Sequence, residues 1–184
     1  LLNNPSWSPD GQYIAARKHF TTQRSLGTGE IWLYHASGQG NGVPLVTRPS
    51  PQHQKELGEP TFSADGGAIF FSRDTTPGPI FEYAQNSNVE VYAIERYDMA
   101  TGERDKVAGG PGGAARPTPS PDGRYLAFVR RVGGESRLFV KDLRSGEERR
   151  IYDDLDRDLQ ETWAVHGVYP NMDWLPDNRT LVFW

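Results

Sequence analysis

Pro117-Thr118-Pro119-Ser120-Pro121-Asp122-Gly123-Arg124-Tyr125-Leu126-Ala127-Phe128 decides the fold, because the chain writes it out more than once. Earlier copies are Pro5-Ser6-Trp7-Ser8-Pro9-Asp10-Gly11-Gln12-Tyr13-Ile14-Ala15-Ala16 and Pro60-Thr61-Phe62-Ser63-Ala64-Asp65-Gly66-Gly67-Ala68-Ile69-Phe70-Phe71. A last copy runs from Pro170 through Trp174-Leu175-Pro176-Asp177-Asn178-Arg179-Thr180-Leu181-Val182-Phe183. The four aspartates Asp10, Asp65, Asp122 and Asp177 stand 55, 57 and 55 residues apart. Self-similarity at such a period marks a stacked or radial array.

Each copy reads as two strands joined by a tight turn. Pro presets the φ of the second turn position, Asp can bond its own backbone, and Gly takes the left-handed conformation that other residues resist. Ala64 loses the Pro preset, and Asn178 replaces Gly with the next-best residue for positive φ. Gly (20 residues) and Pro (14 residues) punctuate short runs of Val, Ile, Tyr, Phe and Trp, and no helical period is sustained over ten or more residues.

Laid out in order, the chain predicts four-stranded antiparallel units over about 5–48, 60–108 and 117–152, with half of a fourth over 170–184. Third strands come from Glu30–His35, Glu90–Tyr97 and Arg137–Leu143, and Ser/Thr-Gly-Glu turns lead into the fourth strands of the second and third units. Short four-stranded meanders repeated radially are the sign of a β-propeller, so the fold class is all-β: three full blades plus half of a fourth, an incomplete ring. Trp7, Phe62 and Trp174 in the first strands, and Trp32, Tyr92 and Phe139 in the third, are expected to pack between blades.

The Ser-Pro-Asp-Gly-x-x-(Ile/Leu)-Ala run, the aromatic-aliphatic third strand and the Ser/Thr-Gly-Glu hairpin together resemble the blades of TolB-type propellers, a class shared with tricorn-like and prolyl-oligopeptidase-like proteases. Leu155–Pro170, Trp174-Leu175-Pro176-Asp177 and Leu181-Val182-Phe183-Trp184 are similar to the propeller that precedes the catalytic barrel in bacterial amidohydrolase-type proteins. That resemblance implies a non-catalytic segment of a larger, periplasmic or otherwise exported hydrolase, serving substrate gating, recognition or domain docking. The alternative is a stand-alone TolB-like protein-protein interaction scaffold. Fold class alone does not choose between them.

The residues exclude several chemistries. The 184-residue chain has no Cys, hence no disulfide, thiolate metal site or Cys nucleophile. A net charge of −4 lacks the electrostatic footprint of a nucleic-acid binder, and no apolar run approaches a membrane helix. There is no His-x-His, His-Glu-x-x-His, Gly-x-Ser-x-Gly or Walker-type phosphate loop, so no catalytic residue, metal or cofactor is expected in this segment. Gly109–Gly113 reads as a linker, and the acidic run 153–158 lacks the Gly and terminal Glu of a calcium loop.

In a four-stranded meander the turns alternate ends, so the Pro-Asp-Gly turns and Ser/Thr-Gly-Glu hairpins share one face. The long connections Phe20–Gly29, Pro49–Glu59, Asp74–Asn88, Gly109–Arg116 and Asp153–Tyr169 share the other, where binding is expected. Asn4, Glu59, Arg116 and Tyr169, each preceding a repeat Pro, are expected at the inner strand's entrance to a central channel. His166 and Asp173 flank the last entrance and are candidates for a cation or carboxylate site. An open ring leaves aromatic faces and a sheet edge uncovered, which favours a homodimer through the open blades or further blades, or a catalytic domain, of a parent chain.

Overall fold

The computed structural model describes residues 2–21, 27–55, 57–81, 86, 88–133, 135–155 and 170–184. Blade 1 is a sheet of β1 (Leu2–Trp7), β2 (Tyr13–Thr21), β3 (Gly27–His35) and β4 (Val43–Val46), hydrogen-bonded in that order. Blade 2 repeats the order with β5 (Leu57–Phe62), β6 (Ala68–Asp74), β7 (Tyr92–Asp98) and β8 (Arg104–Ala108). Blade 3 consists of β9 (Ala115–Pro119), β10 (Tyr125–Val132), β11 (Glu135–Asp142) and β12 (Glu148–Tyr152). A two-stranded sheet, β13 (Met172–Trp174) with β14 (Leu181–Phe183), follows. All pairings are antiparallel.

The repeated turn explains why each blade starts as it does. Ser8 Oγ donates to Asp10 Oδ1 at 2.5 Å, the Gln12 N–H donates to the same carboxylate at 3.0 Å, and the Tyr13 N–H donates to Ser8 Oγ at 2.9 Å. Ser63 with Asp65, and Ser120 with Asp122, build the same three bonds. Gly11, Gly66 and Gly123 close these turns at φ near +70°, and Asn178 closes the fourth at +56°. Leu175 stands where the others have Ser, so Asp177 turns instead to Thr180, accepting from its hydroxyl at 2.6 Å. In the first three hairpins serine and aspartate thus satisfy one another and the turn backbone.

Four apolar clusters lie between the blades, the smallest made of Val91 and Tyr92 of blade 2 with Ala115 of blade 3. Ala15 and Ile31 of blade 1 meet Phe62, Ile69 and Phe71 of blade 2. Phe70 and Ile94 of blade 2 meet Leu126 and Phe128 of blade 3. Ala127 and Val140 of blade 3 meet Trp174. Phe62 and Trp174 are each 7% exposed, at the positions expected for inter-blade packing.

Trp7 departs from that expectation. It is 59% exposed, because it projects from the flank of blade 1 that no described blade covers. The third-strand match also shifts. Cross-strand register places Trp32 opposite Ala16, Phe139 opposite Phe128 and Glu95 opposite Phe71, each six residues past the turn Asp. Glu95, ion-paired to Arg73 at 2.9 Å, is therefore the equivalent of Trp32 and Phe139, while Tyr92 lies opposite Asp74 near the strand's other end, where it is buried against Ala115 of blade 3 and does pack between blades. Likewise the two ends of Phe20–Gly29 belong to strands, since β2 and β3 stay paired out to Thr21 opposite Gly27; residues 22–26 lie outside the described residues.

Candidate functional site

First strands of successive blades lie side by side, and all four contribute to one cavity of about 290 Å³. Its wall holds Asn4, Glu59, Arg116, Asn171 and Asp173. Asn4, Glu59 and Arg116 each stand six residues before a turn Asp and each adopt the left-handed conformation, with φ of +49°, +56° and +61°. Register shifts at Asn3/Ser6, Gly58/Thr61 and Ala127/Val129 show a bulge at each of these points. A non-Gly residue in this region costs on the order of 1–3 kcal/mol, and a bulge re-aims its side chain. These three residues lie inside the first strands rather than ahead of them.

Once turned inward, they bond across blades. Arg116 Nε lies 3.1 Å from Glu59 Oε1, and the Arg116 backbone N–H donates to Glu59 Oε2 at 2.9 Å. Ser72 Oγ donates to that same carboxylate oxygen at 2.7 Å. On its far side the Arg116 guanidinium donates to Asn171 Oδ1 at 3.1 Å, tying blade 2 through blade 3 to the fourth. Asp173 is exposed, its Oδ1 accepting the Trp174 N–H at 2.8 Å. The cavity therefore combines an ion-paired Glu59 and Arg116 with amide groups and an exposed carboxylate, a surface for polar ligands carrying hydrogen-bond donors.

Of the six residues singled out from sequence, Asn4, Glu59, Arg116 and Asp173 share this cavity. His166 and Tyr169 lie outside the described residues. Asn171 was missed. Counting six residues back from Asp177 would have found it, whereas the Pro that follows Asn4, Glu59 and Arg116 is replaced by Met172 in the fourth copy.

A second concavity opens on the long-connection side, between blades 1 and 2. About 290 Å³ in volume, it is lined by Arg48, His53, Lys55, Arg73, Asp74, Thr75 and Thr76 among others. Lys55 is buried and donates to Thr76 Oγ1, with Asp74 Oδ2 at 3.8 Å. Arg48 stacks on Phe20 at 4.1 Å and reaches Glu30 at 3.4 Å. Burial, then the neighbouring charges of Lys55 and Arg73, holds the His53 imidazolium below its ordinary pKa, against an opposing pull from Asp74. Cationic side chains outnumber acids on this wall, which favours an anionic group.

Asp153, at the start of the acidic run, and the glycine linker have structural partners. Asp153 accepts from Arg137 at 3.0 Å and from Arg150 at 2.9 Å. Arg130 clamps the linker by donating to the carbonyls of Gly109 at 2.7 Å and Gly113 at 3.0 Å.

No protein-family model and no curated protein sequence matches the chain. Solved structures do. TolB from Acinetobacter baumannii superposes with a TM-score of 0.61 at 22% identity, over 85% of this chain and 34% of that one. A putative TolB from Agrobacterium tumefaciens gives 0.60 at 21% identity, over 83% and 47%. An oligogalacturonate lyase in complex with manganese gives 0.63 at 17% identity, over 100% and 44%. The blades are those of a β-propeller. This chain spans less than half the length of each of these propeller proteins, and at such identities the likeness is one of fold.

Proposed function

We propose that this propeller segment is the non-catalytic part of a larger, exported hydrolase of the amidohydrolase type, and that it recognises substrate or docks a catalytic domain through its long-connection face. The observation that carries the reading is the cleft between blades 1 and 2, where Arg48, His53, Lys55 and Arg73 meet around Asp74 on the side to which the longer connections run. Rigid blades position that wall, and the loops that vary most between blades surround it. The exported setting and the amidohydrolase parent rest on the resemblance of Leu155–Trp184 to propellers that precede such barrels.

The occupant of the cleft would be an acidic segment, of a substrate or of a neighbouring domain. Titration of the chain with a fluorescent Glu-rich peptide tests this. Binding that weakens with salt and is lost in Arg48→Glu/Arg73→Glu supports the reading, and indifference to both substitutions removes it. The chain itself is expected to hydrolyse neither amides nor esters with or without added Zn²⁺ or Mn²⁺; turnover that co-purifies with it would sink the non-catalytic assignment. The likeness to TolB structures favours a second reading, a stand-alone interaction scaffold. The reading frame decides between them: a downstream barrel with a His-x-His strand supports the first, further blades and a stop codon the second.

A further inference from the structure

Side-chain size alternates across the blade junctions. Five residues past its turn Asp, blade 1 presents Ala15, blade 2 Phe70 and blade 3 Ala127. Three residues before its own turn Asp, the following blade answers with Phe62, Pro119 and Trp174 respectively. Ala15 and Phe62 share one buried cluster, and Ala127 and Trp174 share another. Phe70 and Pro119 line the same cleft between blades 2 and 3. Small receives large, and large receives small, as close packing requires. At the last junction the indole gains polar register as well, Trp174 Nε1 donating to the Thr118 carbonyl of the receiving blade at 2.9 Å.

Trp7 occupies the answering position of blade 1, and no described residue receives it. Next to it the flank is apolar, since Ile14 pairs with Trp7 and with Tyr34, and Trp32 stacks on Tyr34 with ring centres 6.4 Å apart; farther along, Lys18 Nζ lies 3.4 Å over the Trp32 ring and Glu30 accepts its indole N–H. The equivalents of Ile14 in blades 2 and 3, Ile69 and Leu126, are fully buried, whereas Ile14 is only partly so. The whole of β1 is open along this side, in contrast to β5.

We propose that this flank is a docking surface for one further four-stranded blade of the same repeat, and that this blade carries Ala or Gly five residues after its turn Asp. The inference rests on the reading of the chain as a segment of a larger propeller protein and adds the chemistry of the neighbour. A bulky receiving residue cannot seat the Trp7 indole. A second copy of this chain would offer Val182 at that position, a β-branched side chain where Trp174 meets alanine. Seated correctly, the Trp7 indole N–H would donate to a first-strand carbonyl of the incoming blade, as Trp174 does to Thr118.

Three extended proteins test it, each the full chain preceded through a flexible linker by a copy of its own blade 1, 2 or 3. Trp7 accessibility is read by acrylamide quenching, as the difference between each protein and its Trp7→Phe variant. Copies of blade 1 and blade 3, which bring Ala15 and Ala127, are expected to shield Trp7 severalfold and raise the thermal midpoint by about 5 °C. The copy of blade 2, which brings Phe70, is expected to do neither. Equal shielding by all three copies, or shielding by none, overturns the proposal. So does sedimentation showing that the unextended chain forms a dimer that Trp7→Ala dissolves, since the second copy is then the occupant. If the size rule holds but the Glu-rich peptide ignores the cleft between blades 1 and 2, the functional reading fails and the packing inference stands; if the peptide binds there but the size rule fails, the reverse is true.

Discussion

The Glu59 carboxylate grips Arg116 of the next blade twice, through the guanidinium Nε at 3.1 Å and through the backbone N–H at 2.9 Å. The second contact explains how Arg116 holds a left-handed backbone, because its N–H points at an anion across the blade junction instead of into its own sheet. Two of the three strained residues thus stabilise one another. Replacing Glu59 by Ala leaves the Arg116 N–H and the Ser72 hydroxyl without this acceptor. With both ionised side chains about three-quarters buried, the expected loss is about 1–3 kcal/mol. Urea unfolding of Glu59→Ala against Glu59→Gln separates hydrogen bonding from charge, and Glu59→Gln should retain part of the stability.

Phe62 and Trp7 hold the same place in the repeat with opposite burial. Phe62→Ala should cost about 3–5 kcal/mol, the usual range for emptying an aromatic site in a core. Trp7→Ala should change the stability of this chain by about 0.5 kcal/mol or less, as exposed positions do. Denaturant midpoints of the two variants measure the contrast directly.

Acid should weaken the hairpins. Ser8, Ser63 and Ser120 hydroxyls, followed by backbone N–H groups, hold Asp10, Asp65 and Asp122 below the ordinary carboxyl value of 3.8, and Thr180 does so for Asp177. A depressed folded pKa means that the unfolded chain takes up protons first as pH falls. The contribution is therefore complete above about pH 4 and is lost as pH drops through the folded values. Stability measured between pH 6 and pH 2.5 should fall less steeply in Ser8→Ala/Ser63→Ala/Ser120→Ala than in the parent. An unchanged slope would remove the serines as the cause.

His53 gives a second pH signature at milder values. Its folded pKa is lowered by burial and by Lys55 and Arg73, so the unfolded state protonates first and stability declines as pH falls below the ordinary value of 6.5. The NMR titration of the His53 ring should show the displaced pKa, and Lys55→Met should move it upward.

Gly112 should be irreplaceable. It sits at φ +81°, its carbonyl accepts the Arg131 N–H at 3.0 Å, and a Cβ there would overlap the Arg131 carbonyl. Gly112→Ala combines backbone strain with a clash against backbone atoms and should fail to reach parental thermal stability by well over ~2 kcal/mol.

Much of the architecture was legible because the turn chemistry is local. Ser, Pro, Asp and Gly act within a few residues, so their spacing gives the blades directly. Positions governed by the neighbouring blade were harder to read. Tyr92 looks like the partner of Trp32 and Phe139 by aromatic character, yet register gives the place to Glu95, whose charge is met by Arg73. Trp7 reads as core in any sequence pattern, since pattern records what a side chain suits and not whether its partner is present. The central cavity was partly legible through Asn4, Glu59 and Arg116. Asn171 is hidden in the sequence because Met172 replaces the Pro that marks its equivalents, while the spacing to the turn Asp is kept.

The Ser–Asp turns have a consequence for how such a chain changes over generations. Because the Ser–Asp bonds of each turn close within its own hairpin, a stretch of some 55 residues can be duplicated or deleted with those bonds intact, and among the described turns the one link to a neighbour is the Asp122 N–H donating to Asn178 Oδ1 at 2.8 Å. Copy number is thus cheap to alter, while copy order is not: each alanine at a junction accepts a successor that brings a large aromatic ring, and the phenylalanine one that brings a small residue. A shuffled gene would still make sound hairpins and fail where they meet.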